Sequence, residues 1–356
     1  MTHVLNNPWR GRGLAGTEHL PLADAGGVSA LLRQCPAHAP TPLRDLAPLA
    51  TRLRLSRLWL KDERSRMGLG SFKALGAAHA IARAAVATEA VATGAVATGA
   101  SDQRHALTGR VFVTASAGNH GLSVAAGARI FGARAVIHLA ETVPAAFADR
   151  LAARGAEVVR AGADYEASMA AAAATAEAHG WTLLSDSSWP GYTELPLRVM
   201  EGYLQLAAEA AAQTQARPSH ILLQAGVGGL AAAVAAHARL VWGDDPQIIV
   251  VEPEAAPALM DSIRAGKVLG TAGPASCMGR LDCKTPSLIA LNGLARDADQ
   301  FVTISETAAL RGAALLAEHG LPTTPSGAAG VAALPGLDLP SDSRVLAILS
   351  EGPEAG

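Results

Sequence analysis

An α/β fold built on parallel strands is predicted by three observations. Short apolar runs, "VFVT" (Val111 to Thr114), "ILLQ" (Ile221 to Gln224) and "VLAIL" (Val345 to Leu349), end in small-residue or glycine-rich turns. The first two lead into alanine-rich helical stretches, as in "AGVGGLAAAVAAHA". The runs are also apolar throughout rather than alternating, the pattern of strands covered by helices on both faces.

Residues 1 to 32 are rich in glycine and proline and are expected to wrap over the surface, with "TPL" (Thr41 to Leu43) opening the regular part. "RLWLKDE" (Arg57 to Glu63) reads as a strand ending in charge. A glycine-punctuated turn follows it, then a helix from Ser71 through "ALGAAHAIARAA". The unit Ala-Val-Ala-Thr recurs three times at a five-residue spacing in "AVATEAVATGAVATGASDQ" (Ala85 to Gln103). So short a period excludes a solenoid and reads as a helix extension or surface insertion. "AVIHLAE" (Ala135 to Glu141), "AEVVRAG" (Ala156 to Gly162) and "IIVVEPE" are further strands. Ligands in such sheets gather at the carboxyl ends of the strands.

Half of the 356 residues are hydrophobic, so a large core can be buried. A formal charge of −2 leaves no basic face for nucleic acid, and 4% aromatics leave no base-stacking surface. The N-terminus "MTHVLNNPWRGRGL" lacks the apolar run of a signal peptide, and no apolar stretch reaches a membrane-spanning length. Cys35, Cys277 and Cys283 have no metal-like spacing and are expected as free thiols in a reducing cytoplasm, with no metal bound.

Four local motifs carry chemistry, and each has a plain alternative. Lys73 is one of only four lysines among 29 lysines and arginines. In "GLGSFKALGAAHA" it falls in the first helical turn, where the helix dipole lowers an amine's pKa and makes it a better nucleophile. The alternative is an ordinary lysine at a helix start. In "QAGVGGLAAAV", Gly226, Gly228 and Gly229 separate a strand from a helix, so backbone N–H groups there can close on a phosphate. A tight turn is the alternative. "TASAGNHGLS" offers Ser116, Asn119 and backbone amides to a carboxylate or phenolate, or else Ser116 simply caps the helix. Ser350 puts a hydroxyl, or merely a turn residue, at the end of a buried strand. An amine, a phosphate cup, a helix-end anion site and a strand-end hydroxyl together match what pyridoxal phosphate requires.

In this order the motifs resemble the fold-type II pyridoxal-phosphate enzymes, the group of tryptophan synthase β, the serine and threonine dehydratases and the cysteine synthases. The likeness runs from Thr41 to Gly356 through "TPL", "SFK", "SAGNHG", "GVGG", "PSGA" (Pro325 to Ala328) and "ILSEG". "GLGSFKALGA", "SDSSWPGYTELP" (Ser185 to Pro196), "LLQAGVGGLAAAV" and "LSEG" look most like the diaminopropionate ammonia-lyases. The resemblance implies two three-layer α/β/α domains with mostly parallel sheets. Residues 1–109 with 189–356 would form the large one, and 110–188 a small mobile one. It implies Lys73 as the Schiff-base lysine, with Phe72 beside the cofactor, Asn119 on its phenolic oxygen and Gly226, Val227, Gly228 and Gly229 around its phosphate. Ser350 would face its ring nitrogen, and Ser116, Ala117, Gly118, Asn119 and His120 would hold the substrate carboxylate. Asp186 matches an acidic position of the ammonia-lyases and would donate the proton to the leaving group, unless it is a structural aspartate.

The implied activity is elimination of ammonia or another β-substituent from a small amino acid by a cytoplasmic homodimer. A β-replacement synthase and a non-catalytic binding subunit on the same scaffold are the alternatives. Three departures stand out. Ala117 occupies a loop position where the ammonia-lyases carry an aspartate linked to handling of the D-enantiomer. Thr324 stands where the dehydratases place a glutamate. Arg280, Asp282 and Lys284 add charge to a segment that stands where the ammonia-lyases have Met-x-Gly-Leu-x-Cys, and either Arg280 or Lys284 meets an acidic group of the substrate or the segment is an exposed charged loop.

Overall fold

The computed structural model describes residues 3–93 and 103–354. The chain begins with β1 (His3–Asn6), α1 (Gly26–Leu32), β2 (Leu43–Asp45), α2 (Ala47–Arg52), β3 (Arg57–Asp62) and the long helix α3 (Lys73–Thr93). Then come β4 (Val111–Ala115), α4 (Asn119–Ile130), β5 (Arg134–Leu139), α5 (Ala145–Ala152), β6 (Glu157–Arg160), α6 (Tyr165–His179) and β7 (Thr182–Leu183). Helices α7 (Glu194–Gly202) and α8 (Leu204–Gln213) lead to β8 (His220–Gln224), α9 (Gly229–Trp242), β9 (Gln247–Pro253) and α10 (Ala258–Ala265). The chain closes through α11 (Leu288–Asp297), β10 (Gln300–Ile304), α12 (Glu306–Glu318), α13 (Pro325–Ala333) and β11 (Arg344–Leu349).

Two sheets result. The larger has seven strands in the order β1-β10-β9-β8-β11-β3-β2, the smaller four in the order β6-β5-β4-β7. Only the two edge strands of the larger sheet, β1 and β2, pair antiparallel. The remaining pairs in both sheets are parallel.

Successive residues of the central strands feed two different cores. Ile248 and Val250 pack with α8, α9 and α11, whereas Ile249 and Val251 pack with α2, α12 and α13. Covering both faces in this way demands continuously apolar strands, and the sequence supplies them. In the smaller sheet, Val111, Val113 and Val136 meet Ala172 and Ala176 of α6. Phe112, Ala135 and Ile137 face the opposite core with α4.

Two expectations are corrected here. The N-terminal segment does more than wrap over the surface, because β1 extends the large sheet by pairing with β10. The Asn7 amide donates to Ala295 O at 2.8 Å and Ala298 O at 2.6 Å, satisfying carbonyls at the otherwise open end of α11. The helix expected from Ser71 begins at Lys73, since Ser71 is held in a bridge to Glu351. Of the Ala-Val-Ala-Thr repeat, the part to Thr93 continues α3, and residues 94–102 lie outside the described residues. The three cysteines are unpaired thiols. Among the described residues, no helix is long and apolar enough to cross a membrane.

Candidate active site

Strands β8, β11 and β3 are neighbours, so the turns at their carboxyl ends are brought together. These turns carry Gly226 to Gly229, then Ser350 and Glu351, then the loop before Lys73. That last loop reverses sharply, with positive φ at Met67, Gly68 and Gly70. It is stitched to the end of β11 by two bonds, Gly352 N–H to Gly70 O at 2.9 Å and Phe72 N–H to Ser350 O at 3.1 Å. Lys73 follows at once as the first residue of α3, so its position is set by the centre of the sheet.

The Lys73 amine forms an ion pair with Asp186, 113 residues away. Its Nζ also lies 5.2 Å from the Phe72 ring centre and 5.8 Å from that of Tyr203. The lowered amine pKa expected from the helix dipole is not found. Burial does work to lower it, but the facing Asp186 carboxylate prevails and raises the Lys73 pKa above the ordinary lysine value. Burial likewise works to raise the Asp186 pKa, and the Lys73 charge overrides it and holds the carboxylate ionised. Without ligand, then, the pair rests as ammonium and carboxylate.

Asp186 sits in a braced loop. Ser185 accepts from Ser187 N–H at 3.1 Å, and the Tyr192 hydroxyl accepts from Ser185 N–H at 3.1 Å while donating to Leu183 O at 2.8 Å. On the other side, the Ser188 and Ser287 hydroxyls bond each other at 2.6 Å, and Ser188 Oγ accepts from Ile289 N–H at 3.0 Å. Trp189 stacks on Tyr192 with ring centres 4.4 Å apart. The serines of "SDSSWPGY" thus fix the aspartate between two elements.

At the start of α4, Ser116 acts as a cap: its Oγ accepts from Gly118 N–H at 3.2 Å and from Gly121 N–H at 3.1 Å. Ala117 is exposed, and Gly118 opens the helix in an extended conformation. The Asn119 amide donates to the Glu351 carboxylate. His120 is buried, and its Nε2 lies 2.8 Å from Leu184 O, so that nitrogen carries the proton. Burial lowers the His120 pKa and keeps the ring neutral.

The glycine turn is tightly enclosed. A Cβ on Gly226 would lie 2.9 Å from Cys283 Sγ and 3.1 Å from Arg280 O. Gly228 has φ +98°, open to few residues besides glycine, and Gly229 approaches the Tyr203 ring. The Val227 carbonyl accepts from Ser287 N–H at 3.0 Å, and α9 starts with no side-chain cap. Its first N–H groups therefore remain for a ligand. Tyr203 touches this turn and faces Lys73, so the amine and the glycine turn share one site.

Pyridoxal phosphate suits this donor set. It needs an amine, an anion cup and polar contacts for the ring, and the buried Ser71 Oγ, His120 Nδ1 and Tyr203 Oη have no hydrogen-bond partner among the described residues. Residues 35–351 match the family described as pyridoxal-phosphate dependent enzyme. The chain belongs to the pyridoxal-phosphate-dependent enzymes. Within this family it is 33% identical to the diaminopropionate ammonia-lyase of Salmonella typhimurium, over 80% of this chain and 73% of that one. It is 30% identical to the mouse L-serine dehydratase/L-threonine deaminase, over 65% of this chain and 62% of the other. The crystal structure of holo diaminopropionate ammonia-lyase from Escherichia coli superposes with a TM-score of 0.87 at 28% identity, covering 99% of this chain and 94% of that one. The shared architecture is the fold-type II arrangement of these enzymes, with pyridoxal phosphate as cofactor.

Three residues around the Lys73 amine and the turns beside it escaped the sequence reading. Tyr203 and Cys283 enclose the glycine turn, and burial pushes the Cys283 thiol up to about 12. Glu351, next to Ser350, is buried and bonded to Asn119 and Thr324. Only "SEG" pointed to Glu351; nothing local marked the others. The expectation for Lys284 is corrected, because its amine is used up on Ala255 O, Pro274 O and Asp282 Oδ1, at 2.9, 3.0 and 2.5 Å. Arg280 instead pairs with Glu351 and Glu354, each at 2.9 Å.

Proposed function

We propose that this protein is a pyridoxal-phosphate-dependent lyase that removes a β-substituent from a small amino acid, releasing ammonia and a 2-oxo acid. The observation that carries the reading is the Lys73–Asp186 pair beside a glycine turn whose helix start has no side-chain cap. The likeness to diaminopropionate ammonia-lyase and to a serine and threonine dehydratase supports it.

Gly226, Val227, Gly228 and Gly229 would hold the phosphate with the N–H groups that start α9. Asn119 would donate to the phenolic oxygen, Phe72 would pack beside the ring, and the Ser350 hydroxyl would meet the ring nitrogen. The start of α4, from Ser116 to His120, receives the substrate carboxylate. Bound in this frame, pyridoxal phosphate supplies the electron sink that makes the Cα proton acidic. Lys73, released as a neutral amine, takes that proton as general base. The proton that leaves the Lys73 ammonium passes to Asp186, and with the lysine neutral, burial favours the protonated carboxyl. Asp186 then protonates the departing group. The small sheet unit, residues 110–188, closes over the substrate and excludes water.

The test is a turnover screen of the protein reconstituted with pyridoxal phosphate. It uses L- and D-diaminopropionate, serine, threonine and hydroxyaspartate, with pyruvate, oxobutyrate and ammonia measured and no thiol added. Turnover of L-diaminopropionate is expected. With Ala117 in the α4 turn, D-diaminopropionate is expected to be a poor substrate, and equal turnover of the two enantiomers would refute that part. No ketoacid from any of these substrates would overturn the lyase reading.

A further inference from the structure

Glu351 is 4% exposed, and its two oxygens have different partners. Oε1 accepts from the Thr324 hydroxyl, the cap of α13. Oε2 accepts from the Asn119 amide and also lies 2.9 Å from Nε of Arg280. Arg280 reaches outward in turn, with Nη1 2.9 Å from the exposed Glu354. Its backbone is fixed as well, since Arg280 N–H donates to Ser326 Oγ at 3.2 Å and its carbonyl borders Gly226. A side-chain chain therefore runs from solvent through Glu354, Arg280 and Glu351 to Asn119.

An amide nitrogen has two N–H groups. The one spent on Glu351 fixes the plane and direction of the Asn119 side chain, which leaves the other with a defined aim. A charged carboxylate is the stronger acceptor; burial raises the Glu351 pKa above the ordinary glutamate value, and the Arg280 guanidinium works against that shift. Arg280 is the cation in contact with that carboxylate.

We propose that Arg280 and Glu351 are positioning residues that act through Asn119, the carboxylate orienting the amide for the cofactor's phenolic oxygen and the arginine holding the carboxylate in place. The proposal rests on the cofactor reading given above. It also gives Arg280 a role other than direct contact with an acidic substrate. Arg280 tunes how tightly the ring is gripped and touches neither the substrate nor the cofactor.

The experiment is a double-mutant cycle read by cofactor binding. Pyridoxal phosphate is titrated into apo wild type, Arg280→Gln, Asn119→Ala and the double variant, following the Lys73-dependent visible band. Arg280→Gln is expected to weaken binding about tenfold and to shift the band, the scale of one charge-assisted hydrogen bond. Arg280→Lys, which keeps the charge, should recover most of the affinity. In the Asn119→Ala background the Arg280 substitution should have little further effect. If it instead weakens binding by the same factor in both backgrounds, Arg280 does not act through Asn119 and the proposal falls. A wild type that shows no Lys73-dependent band would overturn the cofactor reading itself, which is a distinguishable result. Matching far-ultraviolet circular dichroism of the four proteins ties the affinities to folded chains, and Arg280→Lys answers the question should Arg280→Gln fail to fold.

Discussion

Lys61, near the end of β3, and Lys73, at the first residue of α3, lie on either side of one turn, and each has a carboxylate within bonding distance. Lys61 is completely buried and donates to Thr41 O at 2.6 Å, Glu209 Oε2 at 2.7 Å and Gln213 Oε1 at 3.0 Å. All three of its N–H groups are spoken for. Among the described residues, Lys73 forms its ion pair with Asp186, with two aromatic rings nearby and a side chain 21% exposed. Their charges also respond differently. Burial lowers the Lys61 pKa, and although Glu209 works against this, it is shared with Arg66, which repels the amine. Among the described residues, the ion pair of Asp186 is with Lys73, and the Lys73 pKa rises. A buried lysine with every donor satisfied is a strut, whereas one with a single partner at the edge of a cleft is open to a ligand.

Substituting each lysine in turn gives the largest expected effects. Lys73→Ala should abolish the visible band of the bound cofactor and lower turnover by roughly 10³-fold or more, with the chain still folded. Lys61→Met should do the reverse, leaving the band in whatever folds. It should cost about 3 kcal/mol of stability, because Glu209 loses a buried partner. Urea midpoints and absorbance spectra read both. An intact band in Lys73→Ala would remove the distinction drawn here.

Asp186→Asn comes next. The cofactor should still bind, while kcat falls by about 10²-fold through loss of the proton donor. A change in KM alone would make Asp186 a binding residue.

On the structural side, Lys61 and Arg66 hold the Glu209 pKa down at about 2 against the effect of burial, below the usual 4.5. A carboxylate depressed in the fold stabilises it above its unfolded pKa and loses that contribution as the pH falls through the folded one. The window therefore runs from about pH 4.5 down to about pH 2, and the full contribution is on the order of 3 kcal/mol. Glu209→Gln should lower the denaturant midpoint at neutral pH and flatten its decline across that window. An unchanged acid slope would count against the ionised network.

The smallest effect is expected at the glycine turn. A Cβ in Gly226→Ala must displace Cys283 Sγ, 2.9 Å away, or the Arg280 carbonyl, so cofactor affinity should fall about tenfold with little loss of stability. Adding Cys283→Ala should recover part of it, and no recovery would place the strain on the backbone instead.

Much of the fold was legible in local sequence. Parallel strands enclosed by helices leave a one-dimensional trace, a continuous apolar run ending in glycine or small residues, and β4, β8 and β11 each carry it. The Lys73, Asn119 and Gly226 turns were legible for the same reason, as each is a strand-to-helix junction. What tertiary structure alone decided is pairing. Asp186 meets Lys73 across 113 residues, Asn119 meets Glu351 across 232, and Glu209 meets Lys61 across 148. No periodicity records such partners, so the sequence reading placed a lowered pKa on Lys73, passed over Lys61 as charge at the end of a strand, and missed Glu351 beside Ser350. Helix and strand patterns reflect contacts a few residues apart, and the sequence by itself determined those. The state of a buried charge depends on which distant charge the fold sets against it, and only the folded chain decides that.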